Sequence, residues 1–102
     1  MVVISKSSIK IFGNRHKDSI DPLIKWYDIT RKADWKNYHE LKKSFNTTDS
    51  VGNNRYVFNI KGNTYRLIAL ILFKTRTVFI LFIGTHGEYN NIQAKNIEYE
   101  KL

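Results

Sequence analysis

The residues of this chain best suited to chemistry are cations, with one histidine and one tyrosine following them. Arg55, Asn59, Lys61 and Arg66 flank a Gly62-Asn63 pair in the stretch RYVFNIKGNTYRL, and His86 and Tyr89 come later in FIGTHGEYNNI. From Ser50 to Gly87 the charged residues are Arg55, Lys61, Arg66, Lys74 and Arg76, with no acid among them. Such a set can bind a phosphodiester, stabilise the extra negative charge of its transition state and move protons without a metal. The competing reading is a solvated surface, because basic side chains on exposed strands also prevent edge-to-edge association and keep a protein soluble.

Other chemistries fail on residue inventory. His16, His39 and His86 are far apart and form no HxH or HExxH pattern, and there is no cysteine, so no metal site is expected. The absence of GxGxxG and GxxxxGK[ST] leaves nucleotide cofactors without a motif, and no Ser or Thr sits in a nucleophile-elbow setting. No cofactor is expected.

The elements that must carry these residues follow from periodicity. β-branched and aromatic runs at 55–61, 64–73 and 77–84 predict strands, and Gly62-Asn63 predicts a tight hairpin pairing Lys61 with Thr64, Asn59 with Arg66 and Val57 with Ile68. Alternation then puts Tyr56, Phe58, Ile60, Tyr65, Leu67, Ala69 and Ile71 on one apolar face. Arg55, Asn59, Lys61, Thr64 and Arg66 fall on the other, open face. Thr85, His86, Glu88 and Tyr89 are expected in a loop after the last long strand, beside Arg66.

The first half of the chain carries helical signals. Asp21-Pro22 is expected to start a helix through Leu23, Trp26, Tyr27 and Thr30. Asn37 with Glu40 resembles a capping box for a short helix through Leu41 to Phe45. Ser5 or Ser7 is expected to cap a first helix ending at Gly13-Asn14, after a short strand at Val2 to Ile4, and residues 46–54 are expected to form a polar loop. The predicted architecture is a single α+β domain over residues 1–102, with helices packed on one face of a mostly antiparallel sheet.

Composition agrees with one globular domain, since 102 residues with 42% apolar and 14% aromatic content supply a core. Seventeen Lys and Arg against nine Asp and Glu give a formal charge of +8, which favours a polyanion such as nucleic acid, though an acidic protein or a membrane surface fits the same sum. MVVISKSSIKIF is broken by Lys6 and Lys10 and does not read as a signal peptide, and the apolar run from Leu67 to Phe73 is too short to span a bilayer. A soluble, intracellular protein is expected.

ADW (33–35), VGNNRYVFNIKGNTYRL (51–67) and FIGTHGEYNNI (82–92), together with DPLIKWY (21–27), resemble the HigB toxin family of the wider RelE-like group over nearly the whole chain. The resemblance implies a RelE-like fold in a bacterial cytoplasmic toxin of a type II toxin-antitoxin pair. It further implies cleavage of messenger RNA in the ribosomal A site and neutralisation by an antitoxin, expected to carry a helix-turn-helix domain. Arg66 matches the phosphate-contacting arginine of RelE-like toxins, and Lys61 is a second cation. His86 and Tyr89 match the histidine and tyrosine of the family's GTHxEY segment. Asn90 departs from the family, where an aspartate is expected, and removes a negative charge beside the site.

The expected reaction is attack of the RNA's own 2′-hydroxyl on the adjacent phosphorus, which needs alignment and a base but no protein nucleophile. His86 is the first candidate for general base or acid and Lys61 the alternate base. Arg66 and Lys61 are expected to clamp the phosphate, Tyr89 to stack on a base or bond the scissile group, and Arg55 and Asn59 to contact the RNA backbone. The alternatives are a non-catalytic RNA-binding or ribosome-binding module, and a basic scaffold for an acidic partner.

Overall fold

The structure, a computed structural model, describes residues 1–98. A five-stranded sheet in the order β1-β5-β4-β3-β2 organises the chain. Its strands are β1 (Val2–Ile4), β2 (Asp49–Gly52), β3 (Arg55–Ile60), β4 (Tyr65–Leu72) and β5 (Thr77–Thr85). β1 runs parallel to β5 and every other neighbouring pair is antiparallel. The α+β architecture with a mostly antiparallel sheet predicted from the sequence is therefore the one observed, with helices α1 (Ser7–Arg15), α2 (Ile20–Lys32) and α3 (Tyr38–Ser44) supplied by the first half of the chain.

The apolar face of the β3–β4 hairpin is the core. Tyr56, Phe58, Ile60, Tyr65, Leu67, Ala69 and Ile71 are all buried, and Leu23 and Trp26 of α2 and Leu41 of α3 pack with them. The Trp26 ring meets Phe58 edge-on at 5.3 Å, and Phe45 meets Phe58 at 5.2 Å. Burying such side chains contributes about 1.5–3 kcal/mol each in area terms, which is why period-two alternation fixes the face.

Several local expectations change. Asp21-Pro22 lies inside the first turn of α2, not before it, because a 3-10 turn at Lys17–Ser19 leads directly into the helix. Asn37 does cap α3, its Oδ1 accepting from the Glu40 amide at 2.9 Å, while Glu40 Oε1 accepts from the Lys36 amide. α1 runs through Gly13-Asn14 to Arg15. Gly13 serves packing there, since a Cβ on it would sit 2.7 Å from Ile20 Cγ1. The polar stretch at 46–54 contains the edge strand β2, whose register with β3 is broken between Ser50 and Gly52.

The second face of the sheet is only partly open. Val57 and Ile68 point away from the helices yet are buried, and a 3-10 turn at Ala94–Asn96 packs against β2 and β3. Asn59 and Arg66, toward the β3–β4 turn, are half-buried on that face, as Arg55 and Leu70 are farther along it.

Candidate active site

The β3–β4 register puts Asn59 opposite Arg66 and Val57 opposite Ile68, as the Gly62-Asn63 turn predicts. β4 in turn sets Arg66 opposite Gly84 and Tyr65 opposite Thr85 of β5, after a bulge between Ile68 and Ala69. A short helix, α4 (His86–Asn90), begins where β5 ends. A loop was expected there, but Thr85 and Glu88 close a reciprocal capping box. Thr85 Oγ1 accepts from the Glu88 amide at 3.1 Å, and Glu88 Oε1 accepts from the Thr85 amide at 2.8 Å. The T-x-x-E spacing in GTHGEY is the sequence signal that reveals this helix. The Thr85 backbone N–H holds the Glu88 carboxyl below its usual range, so this acid is ionised and occupied by the cap.

Helical spacing places His86, Tyr89 and Asn90 along neighbouring positions of one side of α4. The Tyr89 ring centroid lies 5.1 Å from Arg66 Cζ, within reach of a cation–π contact. Asn63 Oδ1 accepts from Arg66 Nη2 at 2.5 Å, and Arg66 Nε is buried without an acceptor. Among the described residues the ion pairs are Lys61–Asp18 and Arg76–Asp34, so no carboxylate neutralises Arg66. His86 joins the same assembly through its backbone, its N–H donating to the Thr64 carbonyl at 3.3 Å. Its exposed ring has Nδ1 3.3 Å from Asn90 Nδ2. When that amide nitrogen donates, Nδ1 is the acceptor and the neutral ring carries its proton on Nε2.

The structure brings Arg66, Tyr89 and His86 to the turn end of the sheet, with Asn59 across from Arg66. Lys61 does not share their face. It adopts a left-handed conformation with φ 54° at the turn, and its Nζ lies 2.6 Å from Asp18 Oδ2 on the helix side. The expected alternation fails because the regular ladder ends at Ile60 and Tyr65. Arg55 is also committed elsewhere. Its Nε and Nη2 donate to the Ile97 carbonyl at 3.1 and 2.8 Å, and its Nη1 donates to the Asn53 carbonyl at 2.8 Å. It also lies four residue steps along the strand from Asn59, roughly 13 Å at strand rise. Arg55 therefore staples the C-terminal segment to the sheet. Asn63 and Asp18 are participants that the sequence did not single out.

A groove of about 530 Å3 lies between α2 and the outer edge of β3, lined by Trp26, Lys25, Asn59 and Lys61 among others, but it includes neither Arg66 nor His86. The candidate site is a surface, suited to a polymer lying across it. Among the described residues no three His, Cys, Asp or Glu side chains group so as to hold a metal ion, and no helix is long and apolar enough to cross a membrane.

At the turn end of a helix-backed sheet, then, Arg66 stands beside Tyr89 and His86 with no ion-pair partner among the described residues, an arrangement able to receive an anion, and family comparison makes the class specific. Residues 19–92 match the model of the HigB toxins, the RelE-like toxic component of a toxin-antitoxin system, and the chain belongs to that family. Membership carries a cognate antitoxin as partner. The chain is 27% identical over 94 residues to the mRNA interferase HigB of Escherichia coli O6:H1 strain CFT073, covering 90% of this chain and 91% of the relative. It is 26% identical over 96 residues to the mRNA interferase toxin HigB of E. coli K12, covering 92% of each, and the same figures hold for the mRNA interferase HigB of Shigella flexneri.

Proposed function

We propose that this toxin is an endoribonuclease that cuts messenger RNA on the ribosome by metal-independent attack of the substrate's 2′-hydroxyl on its own phosphodiester. The observation that carries the reading is Arg66, a half-buried arginine with no carboxylate partner among the described residues, backed by Tyr89 and steadied by a neutral acceptor. A guanidinium held this way keeps its charge for an incoming anion, and its fork of N–H donors suits a phosphate. The relatives, which are mRNA interferases, support messenger RNA as the substrate class.

In the reaction, Arg66 binds the scissile phosphate and stabilises the added charge as the 2′-oxygen bonds to phosphorus. His86 transfers protons, as base toward the 2′-hydroxyl or as acid toward the departing 5′-oxygen according to which ring nitrogen carries the proton. The phenol of Tyr89 lies beside Arg66 and is available to stack on a base or to bond the phosphate. Asn59 contacts the neighbouring backbone. Lys61 contributes through Asp18 and the turn, and its role as alternate base becomes the less favoured assignment. The antitoxin is a small protein with a helix-turn-helix domain, and acidic residues on it would speed association with a chain of formal charge +8 at low salt. The protein acts in the bacterial cytoplasm, where translating ribosomes are found.

The test is incubation of purified toxin with an mRNA, once free and once on programmed ribosomes, beside the Arg66→Ala variant. Cleavage confined to the ribosome-bound message and lost in Arg66→Ala supports the reading. Ribosome binding with intact mRNA would establish the non-catalytic alternative.

A further inference from the structure

Asp18, in the 3-10 turn between α1 and α2, makes the contacts that tie the helices to the β3–β4 turn. Its Oδ2 lies 2.6 Å from Lys61 Nζ, and its Oδ1 accepts from the buried Tyr65 hydroxyl. Lys61 and Tyr65 together hold its carboxyl below the ordinary aspartate range, so it is ionised at neutral pH. The turn it grips lies outside the core. Lys61, Gly62, Asn63 and Thr64 are all exposed, and Lys61 and Gly62 both have positive φ, which is unfavourable for a lysine.

That same turn is what Arg66 and His86 share. Asn63 accepts from Arg66 Nη2, and the Thr64 carbonyl accepts the His86 N–H. Tyr65 and Arg66 project to opposite faces of β4, so Asp18 acts from behind the sheet on a turn whose front holds the two reacting side chains.

We propose that Asp18 is a positioning residue for cleavage, fixing the 61–64 turn through Lys61 and thereby the placement of Arg66 relative to His86. This rests on the reading of Arg66 and His86 as the reacting groups. Because the turn is exposed and the core lies in β3 and β4 beyond it, loosening the turn disturbs alignment more than folding.

The experiment measures kcat and KM for ribosome-dependent cleavage by the full chain carrying Asp18→Ala, Asp18→Asn, Asp18→Glu, Lys61→Ala or the Asp18→Ala/Lys61→Ala pair, with Arg66→Ala alongside. Misplacement of reacting groups reduces rate by about 10- to 100-fold. The expected result is a loss of that size in kcat for Asp18→Ala with KM within about twofold. Asp18→Asn, which keeps shape and an acceptor for Tyr65, loses kcat with the fold intact, and Asp18→Glu recovers part of the rate. The double variant is no slower than the slower single variant. Wild-type kcat in both Asp18→Ala and Asp18→Asn, or fully additive losses in the pair, overturns the proposal. If Arg66→Ala is inactive while the Asp18 variants cleave normally, only this inference falls. Normal cleavage by Arg66→Ala overturns the assignment of the site itself.

Discussion

Arg66 and Tyr89 are stacked across the junction of β4 and α4, with the guanidinium carbon 5.1 Å from the ring centroid. A cation–π contact of this kind is worth about 0.5–2 kcal/mol, depending on desolvation. Tyr89→Ala should lower kcat/KM by about tenfold or more, the upper part of that range. Tyr89→Phe should keep most of the stacking, so any further loss it shows in single-turnover cleavage measures the hydroxyl. Equal losses in both variants would assign the whole effect to the hydroxyl and none to the stack.

His86 is exposed and bonds the hairpin only through its backbone N–H. His86→Gln should therefore bind ribosomes as the native protein does, while cleavage falls by a factor of about 10² to 10⁴, the usual range for general acid–base catalysis. Near-native cleavage in His86→Gln, with Lys61→Ala inactive, would move the proton-transfer role to Lys61.

Among the described residues three carboxylates titrate below their ordinary values: Asp18 chiefly through its bond from Lys61, Asp34 through Arg76, and Glu88 through the Thr85 amide. A lowered folded-state value means that these groups stabilise the fold fully above the unfolded values, about 4. That contribution disappears as pH falls through the lowered folded-state values. Urea unfolding should show stability level from pH 7 to 5 and falling below about pH 4, with a shallower fall in Asp34→Asn. High salt should shrink the difference, since the Asp34 pair is exposed. An unchanged acid slope in Asp34→Asn would show that its pair with Arg76 contributes nothing to folding.

Gly84 faces Arg66 across the sheet, and a Cβ on it would lie 2.3 Å from Phe82 Cζ. Gly84→Ala forces the Phe82 ring to move, and overpacking of this kind costs about 1–3 kcal/mol. Thermal denaturation should register a Tm lower by roughly 4–8 °C per kcal/mol for a domain of this size. An unchanged Tm would mean that Phe82 has another rotamer available at no cost.

Much of the frame was legible because alternation and turn chemistry are local. Tyr56, Phe58, Leu67 and Ile71 declare the core face, and Gly62-Asn63 sets the register that places Asn59 against Arg66. The expected nearness of His86 to Arg66 also followed from that turn, because β5 ends beside it and the His86 N–H bonds the Thr64 carbonyl. Lys61 was misplaced because strict alternation stops where φ turns positive, and its partner Asp18 is 43 residues away in sequence. Arg55 was read as an RNA contact because its acceptor, the Ile97 carbonyl, is a backbone group 42 residues distant. α4 was missed although Thr85 and Glu88 spell its cap.

The nature of the RNA ends tests the mechanism most directly. Products of ribosome-dependent cleavage, analysed by mass spectrometry, should carry a 2′,3′-cyclic phosphate or 3′-phosphate upstream and a 5′-hydroxyl downstream, as attack by the 2′-oxygen requires. A 5′-phosphate on the downstream fragment would show that water is the nucleophile and would contradict both attack by the 2′-hydroxyl and the proton transfers assigned to His86.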